Sequence, residues 1–247
     1  MKKVLLLAIA TLFYSTTFAF GDFIDHLDSF NRNLFHTADG WTNGEPFNCT
    51  WRSNCVTFDG GIMTLALNRE SGSPPFKCGE YRTNDNFSYG YFEVRMKATN
   101  KVGTLNSFFT YTGPSENNPW DEIDIEILGK NPRQMQTNYY TNGVGGHETL
   151  INLGFDASAD FHVYGFEWRE NYIKWYVDGK LVHTEDGSRG PLPKTPGKIM
   201  MNHWPGTGVD GWLGPFDGAT PQYAYYDYVS YSKSGPNAGS APGGCGQ

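Results

Sequence analysis

Residues 120–129 read Trp120-Asp121-Glu122-Ile123-Asp124-Ile125-Glu126-Ile127-Leu128-Gly129, with four acids within six residues. In an extended strand, side chains two apart share a face. One face is then Trp120, Glu122, Asp124, Glu126 and Leu128, and the other is Asp121, Ile123, Ile125 and Ile127. The isoleucines can enter a core between two sheets while three carboxyls stand in a row beside a tryptophan. A helix would scatter the same residues around its axis, and three β-branched isoleucines also disfavour it. The stretch is therefore read as a half-buried strand.

The same period of two recurs outward from it. Phe92, Val94, Met96 and Ala98 alternate with polar neighbours, and segments 62–67, 105–110, 136–140, 198–202 and 223–231 read as strands. Residues 172–177 and 180–183 flank Asp178-Gly179, a pair suited to the positive φ values of a tight hairpin. Asn142-Gly143 and Asp217-Gly218 mark further turns. Helical periodicity is scarce, and there is no internal repeat or linker. Many strands at short spacing predict an all-β fold, a two-sheet sandwich or jelly roll.

The chain has 247 residues, which suits a single all-β domain. Its net charge is -7 with no block of Lys or Arg, which argues against nucleic acid as a partner. Met1-Lys2-Lys3 followed by an apolar run over 4–13 predicts a secretory signal peptide over 1–21, cleaved after Ala19 or Gly21. The expected mature protein is secreted and soluble, with no membrane partner. The domain is expected over 22–235, with a Gly/Pro-rich extension over 236–247. Cys49, Cys55, Cys78 and Cys245 allow three disulfide pairings in an oxidising destination and lack the spacing of a zinc site.

Three chemistries compete for the acid row. A solvated sheet face would mix Lys with Glu and would not flank acids with Trp. Calcium chelation recruits loop carbonyls, and a straight strand holds side chains too regularly for it. Glycoside hydrolysis by paired carboxyls fits better. Glu122 and Glu126 have Cα atoms roughly 13 Å apart at strand rise, a gap that two leaning glutamates can largely close. Carboxyls about 5 Å apart suit a retaining mechanism. Asp124 between them is expected to raise a neighbour's proton affinity, which a general acid needs near neutral pH.

The 120–129 stretch resembles the signature of glycoside hydrolase family 16, and specifically its bacterial lichenases (endo-β-1,3-1,4-glucanases). The likeness extends to Phe47-Asn48-Cys49-Thr50-Trp51, Gly79-Glu80-Tyr81-Arg82-Thr83, Ser107-Phe108-Phe109-Thr110-Tyr111-Thr112-Gly113 and Asn138-Tyr139-Tyr140-Thr141-Asn142-Gly143. It extends also to Gly154-Phe155-Asp156-Ala157-Ser158 and Pro196-Gly197-Lys198-Ile199-Met200-Met201-Asn202, so that it covers nearly everything from 38 to 231. The resemblance implies a β-jelly-roll sandwich with an open concave cleft, Glu122 as nucleophile, Glu126 as general acid/base and Asp124 as the residue that tunes them. It implies sugar stacking by Trp120, Phe109, Tyr111, Tyr140, Trp204 and Trp212, the last two expected in Gly-rich loops. It implies hydroxyl binding by Asn43, Glu80, Arg82, Asn138, Glu148 and Asn202.

A disulfide Cys49–Cys78 comes with the resemblance, leaving Cys55 and Cys245 for a possible second bond. So does a structural calcium at Asp227, with a carbonyl from Gly60 or Gly61, while catalysis itself needs no cofactor. Trp41 and His203 depart from the family pattern and are expected to adjust sugar binding at the cleft. The expected substrate is mixed-linkage β-glucan, cut by a monomer at a β-1,4 bond that follows a β-1,3-linked glucose. Relatives that cut β-1,3-glucan carry an extra residue before the second Glu, a bulge that the regular spacing here lacks. Xyloglucan endotransglycosylases share the regular spacing, but the run Thr141-Asn142-Gly143-Val144-Gly145-Gly146-His147-Glu148 favours a lichenase. A non-catalytic sugar-binding module would have lost one or more of the acids, and all three are present.

Overall fold

A computed structural model describes residues 21–235, which form a sandwich of two sheets. Residues 1–20 of the signal peptide expected over 1–21, the 236–247 extension and Cys245 lie outside the described residues. One sheet orders its strands Thr149–Asn152, Gln134–Tyr140, Asp121–Leu128, Thr104–Thr112, Lys198–Pro205, Glu80–Thr83 and Phe35–Thr37, all antiparallel. We call this the cleft sheet, and its Asp121–Leu128 member the acidic strand. The opposite sheet has ten strands centred on His162–Arg169, Gly90–Lys97 and Gln222–Ser232. Each strand read from the sequence is present. The hairpin joining Tyr172–Val177 to Lys180–Glu185 turns at Asp178 (φ 47°) and Gly179 (φ 73°), the left-handed pair its two-residue loop requires.

The alternation in the acidic strand decides how the sheets meet. Ile123, Ile125 and Ile127 are fully buried and pack in one cluster with Phe92, Phe166 and Trp175 of the opposite sheet. Each such side chain contributes about 1.5–3 kcal/mol by leaving water. Two hydrogen bonds cross the core to backbone carbonyls of the cleft sheet. Trp175 Nε1 donates to Asp124 O at 3.0 Å, and Tyr226 Oη donates to Ser107 O at 3.0 Å. The carbonyls beneath two cleft positions are thus paired from below.

A second core cluster gathers Trp51, Leu67, Leu105, Leu128, Trp204 and Leu213 with Cys49 and Cys78. Three expectations change here. Trp204 lies within Lys198–Pro205 rather than in a loop, and only 3% of it is exposed. His203 does not reach the cleft. It follows Asn202 by one residue, so the pleat turns it inward, where it is fully buried and donates from Nδ1 to Leu105 O at 3.0 Å. Burial pushes its pKa down to about 4 and keeps the ring neutral. The expected Cys49–Cys78 bond is not formed in this structure, where Cys49, Cys55 and Cys78 are buried thiols. The fold alone brings Cys78 to Cys49, since burial and then a hydrogen bond with Cys49 push the Cys78 thiol well up. Joining the sulfurs is an oxidation that packing does not require.

Ile125→Ala should lower the unfolding free energy by about 2–4 kcal/mol, because the core cannot close around the lost carbons. Urea unfolding followed by tryptophan fluorescence measures it; a loss near zero would mean that the sheets do not depend on this contact.

Candidate active site

Strand pairing builds the site as a grid. On the acidic strand Glu122 stands opposite Tyr140 on one side and Tyr111 on the other; Asp124 stands opposite Asn138 and Phe109; Glu126 stands opposite Gln136 and Ser107. The next two strands continue the rows, Phe109 to Met200 to Arg82 and Ser107 to Asn202 to Glu80. Pairing on both sides of the acidic strand is in register throughout, with no bulge. The outward face of five strands therefore carries three carboxyls in the middle, with aromatic rings and planar polar groups on either side. These side chains line one open cleft of about 830 Å³.

The three carboxyls have different partners. Glu122 accepts a 2.6 Å hydrogen bond from Trp120 Nε1, and the Trp120 ring stacks on Tyr140 with centroids 4.6 Å apart and planes at 11°. Glu126 accepts a 2.6 Å hydrogen bond from Gln136 Nε2. Burial raises the Glu122 carboxyl to about 7 even though hydrogen bonds from Trp120 and Asp124 pull it down. Burial also raises Glu126 to about 8, helped by the charges of Glu122 and Glu148 and opposed by Gln136. Asp124 is pushed well up by burial and by both glutamates.

These directions bear on the part expected of Asp124. Both glutamates raise the proton affinity of Asp124 itself, and its hydrogen bond to Glu122 lowers that carboxyl. A protonated central acid relieves the crowding of charge along the row.

All twelve side chains expected to bind substrate line the cleft. Glu80, 1% exposed, forms an ion pair with Arg82 and accepts from Asn202 Nδ2 at 3.2 Å. Asn43 faces the cleft while its Oδ1 accepts from Trp51 Nε1 at 3.0 Å. Asn138 Nδ2 donates to Glu148 Oε1 at 3.4 Å. Trp212 sits on the short helix Asp210–Leu213 and donates from Nε1 to Gln136 Oε1 at 3.2 Å. Trp204 forms part of the floor, with Phe47 4.2 Å away. Trp41 does lie at the cleft, with the Arg82 guanidinium 5.2 Å from its ring centre.

Sequence reasoning missed three residues. Gln136 precedes Asn138 and Tyr140 by the same step of two, so the alternation already put it on the cleft face. Ser107 relates to Phe109 and Tyr111 in the same way, and its Oγ donates to Asn202 Oδ1 at 2.5 Å. Asp121 gave no such signal. It points away from the cleft, 4% exposed, and its carboxyl accepts from three backbone N–H groups: Asn142, Lys194 and Thr195, each at 2.9 Å. One buried charge thus fastens two loops to the acidic strand.

The carboxyl of the expected calcium ligand, Asp227, has a protein partner. Asp227 sits where the pairing of Gln222–Ser232 with Gly90–Lys97 shifts register, and its carboxyl forms an ion pair with Arg95. Among the described residues no group of three or more Asp, Glu, His or Cys is placed to hold a metal.

The chain is similar to known β-glucanases. A β-glucanase of Acetivibrio thermocellus is 59% identical over 214 residues, which are 86% of this chain and 63% of that protein's length. A β-glucanase of Paenibacillus polymyxa is 52% identical over 95% of this chain and 100% of its own. The solved structure of a prokaryotic β-1,3-1,4-glucanase (lichenase) derived from a mouse hindgut metagenome superposes with a TM-score of 0.84 at 49% identity, covering 87% of this chain and 100% of that one. Residues 43–229 match the model of glycosyl hydrolases family 16, and the chain belongs to that family.

Proposed function

We propose that this chain is a secreted, endo-acting, retaining hydrolase of mixed-linkage β-glucan that cuts a β-1,4 bond following a β-1,3-linked glucose. The observation that carries the reading is the unbroken grid, in which Glu122, Asp124 and Glu126 face the cleft between aromatic and amide side chains. A pyranose presents apolar C–H faces to rings and equatorial hydroxyls to planar polar groups, and both are supplied here. Likeness to a solved lichenase and the absence of a bulge before Glu126 support mixed linkage over β-1,3-glucan.

The chemistry follows from the partners. Ionised Glu122, held by Trp120 and by the proton of Asp124, attacks the anomeric carbon. Glu126 gives its proton to the departing oxygen as the glycosidic bond breaks, leaving a glycosyl ester on Glu122. Water then attacks that carbon while Glu126 takes the water's proton, so both carboxyls return to their first state. Two carboxyls and water suffice, with no cofactor in the route. Export also supplies the oxidising medium in which Cys49 and Cys78 would join. We take the protein to act as a monomer on its polysaccharide.

Reducing ends should appear fastest with lichenan and barley β-glucan and slowly with laminarin, xyloglucan and carboxymethylcellulose. Strong activity on laminarin alone would refute the substrate assignment. Glu122→Ala should fold and still bind glucan but lose nearly all turnover; a rate within about tenfold of the parent would show that the nucleophile is another group. Glu126→Ala should be inactive on glucan yet recover with azide on an aryl glycoside that has a good leaving group, and proton NMR of the parent reaction should show retained anomers.

The pH profile of kcat/KM should be a narrow bell. Its acid limb reflects ionisation of Glu122 near 7 and its alkaline limb loss of the proton from Glu126 near 8. Gln136→Leu removes a hydrogen bond that favours ionised Glu126, so the alkaline limb should move up; a downward shift would contradict the pairing. Stability has a definite sign too. Both folded carboxyls hold protons above their unfolded range near 4.5, so stability falls as pH rises from there through about 8. Glu126→Gln should therefore melt above the parent at pH 9, with the gap closing near pH 4.

A further inference from the structure

Glu80, Glu122, Asp124 and Glu126 reach the cleft from strands, whereas Glu148 reaches it from a loop, one residue before Thr149–Asn152. The 3.4 Å bond from Asn138 is too long to hold the Glu148 carboxyl firmly. The course of the loop backbone therefore decides where Glu148 stands.

That backbone is gripped by Arg189. Its guanidinium donates to three successive carbonyls, Gly146 O at 3.4 Å, His147 O at 3.1 Å and Glu148 O at 3.3 Å, and to Thr149 Oγ1 at 3.1 Å. It also pairs at 2.7 Å with Glu185, a buried carboxylate that meets His183 Nε2 at 3.1 Å. The loop that carries Arg189 returns the grip with three carbonyls of its own. Arg189 O faces His147 Nε2 at 3.2 Å, Gly190 O accepts from Tyr139 Oη at 3.2 Å, and Pro191 O accepts from Thr141 Oγ1 at 2.6 Å. A Cβ at Gly190 would meet His147 Nε2 at 2.7 Å, so glycine is what lets the two loops close. A lysine in place of Arg189 could keep the pair with Glu185 but, as a point charge, could not fork across three carbonyls.

We infer that Arg189 is a positioning residue that holds Glu148 against the acid row by fastening the backbone on which Glu148 stands. The inference rests on the hydrolytic reading given above, in which Glu126 supplies the proton. Burial does most to raise Glu126; Gln136 opposes it, and the charges of Glu122 and Glu148 add to it. Glu148 acts on Asp124 in the same direction. Around Arg189 itself the titratable groups are Glu185, Asp186, His147 and His183. A loop released from Arg189 lets Glu148 swing toward water, and Glu126 then gives up its proton at lower pH. Lysine keeps the positive charge, so a downward shift reports the lost fork and not a lost charge.

The test follows the alkaline limb of kcat/KM on lichenan in the whole enzyme, with Arg189→Lys, Glu148→Gln and both together. Arg189 is 39% exposed, so a lysine there opens no core, and thermal melting checks the fold. Both single variants should move the limb down, Glu148→Gln by about 0.5 pH unit or more. The double variant should shift it no further than Glu148→Gln alone. Backbone amides over 142–149 should exchange hydrogen faster in Arg189→Lys, while those of Asp121–Leu128 keep the parent rate. A limb that either single variant leaves in place, shifts that add in the double variant, or unchanged exchange over 142–149 overturns the inference and leaves the hydrolytic reading intact. A parent that releases no reducing ends from lichenan overturns both.

Discussion

Everything in the site depends on one constraint: the acidic strand must keep its period of two without interruption. Ile123, Ile125 and Ile127 hold one face in the core, which forces Glu122, Asp124 and Glu126 onto the other. A slip of one residue would put three carboxyls among Phe92, Phe166 and Trp175, at a cost no ion pair there could offset. Apolar burial therefore sets the register, and the register sets the spacing of the acids.

Placing three acids in one row creates a second problem, which the structure solves with protons rather than cations. Arg82, the guanidinium nearest this face, is already matched by Glu80. Crowding on the row instead raises the proton affinity of Asp124, whose hydrogen bond favours the ionised form of Glu122. The asymmetry between the two glutamates comes from their neighbours. Glu122 receives two hydrogen bonds, and Glu126 receives one while facing the charges of Glu122 and Glu148.

The fold and the centre of the site were legible in the sequence because both are local consequences of alternation. The strand at residues 120–129, the Asp178-Gly179 turn and the pairs Phe109/Tyr111 and Asn138/Tyr140 each announce themselves within a few residues. Gln136 and Ser107 were readable by the same rule applied one step further. What escaped depends on partners distant in sequence. Nothing near Asp121 shows that it will meet the amides of Lys194 and Thr195, whereas the inward turn of His203 follows from the pleat once Asn202 faces the cleft. Asp227 matched a family position by its neighbours in the chain, yet its electrostatic partner, Arg95, lies on another strand.

Asp121 also bears on how the cleft withstands use. Its carboxyl grips the root of the loop that begins at Asn142 and the segment at Lys194–Thr195, while its chain neighbours Trp120 and Glu122 face the cleft. Gly143 N in turn donates to Trp120 O at 2.8 Å. Wall and floor are therefore one mechanical part, pinned at a single buried charge. A load on either loop is carried through that buried carboxyl straight into the backbone of the acidic strand.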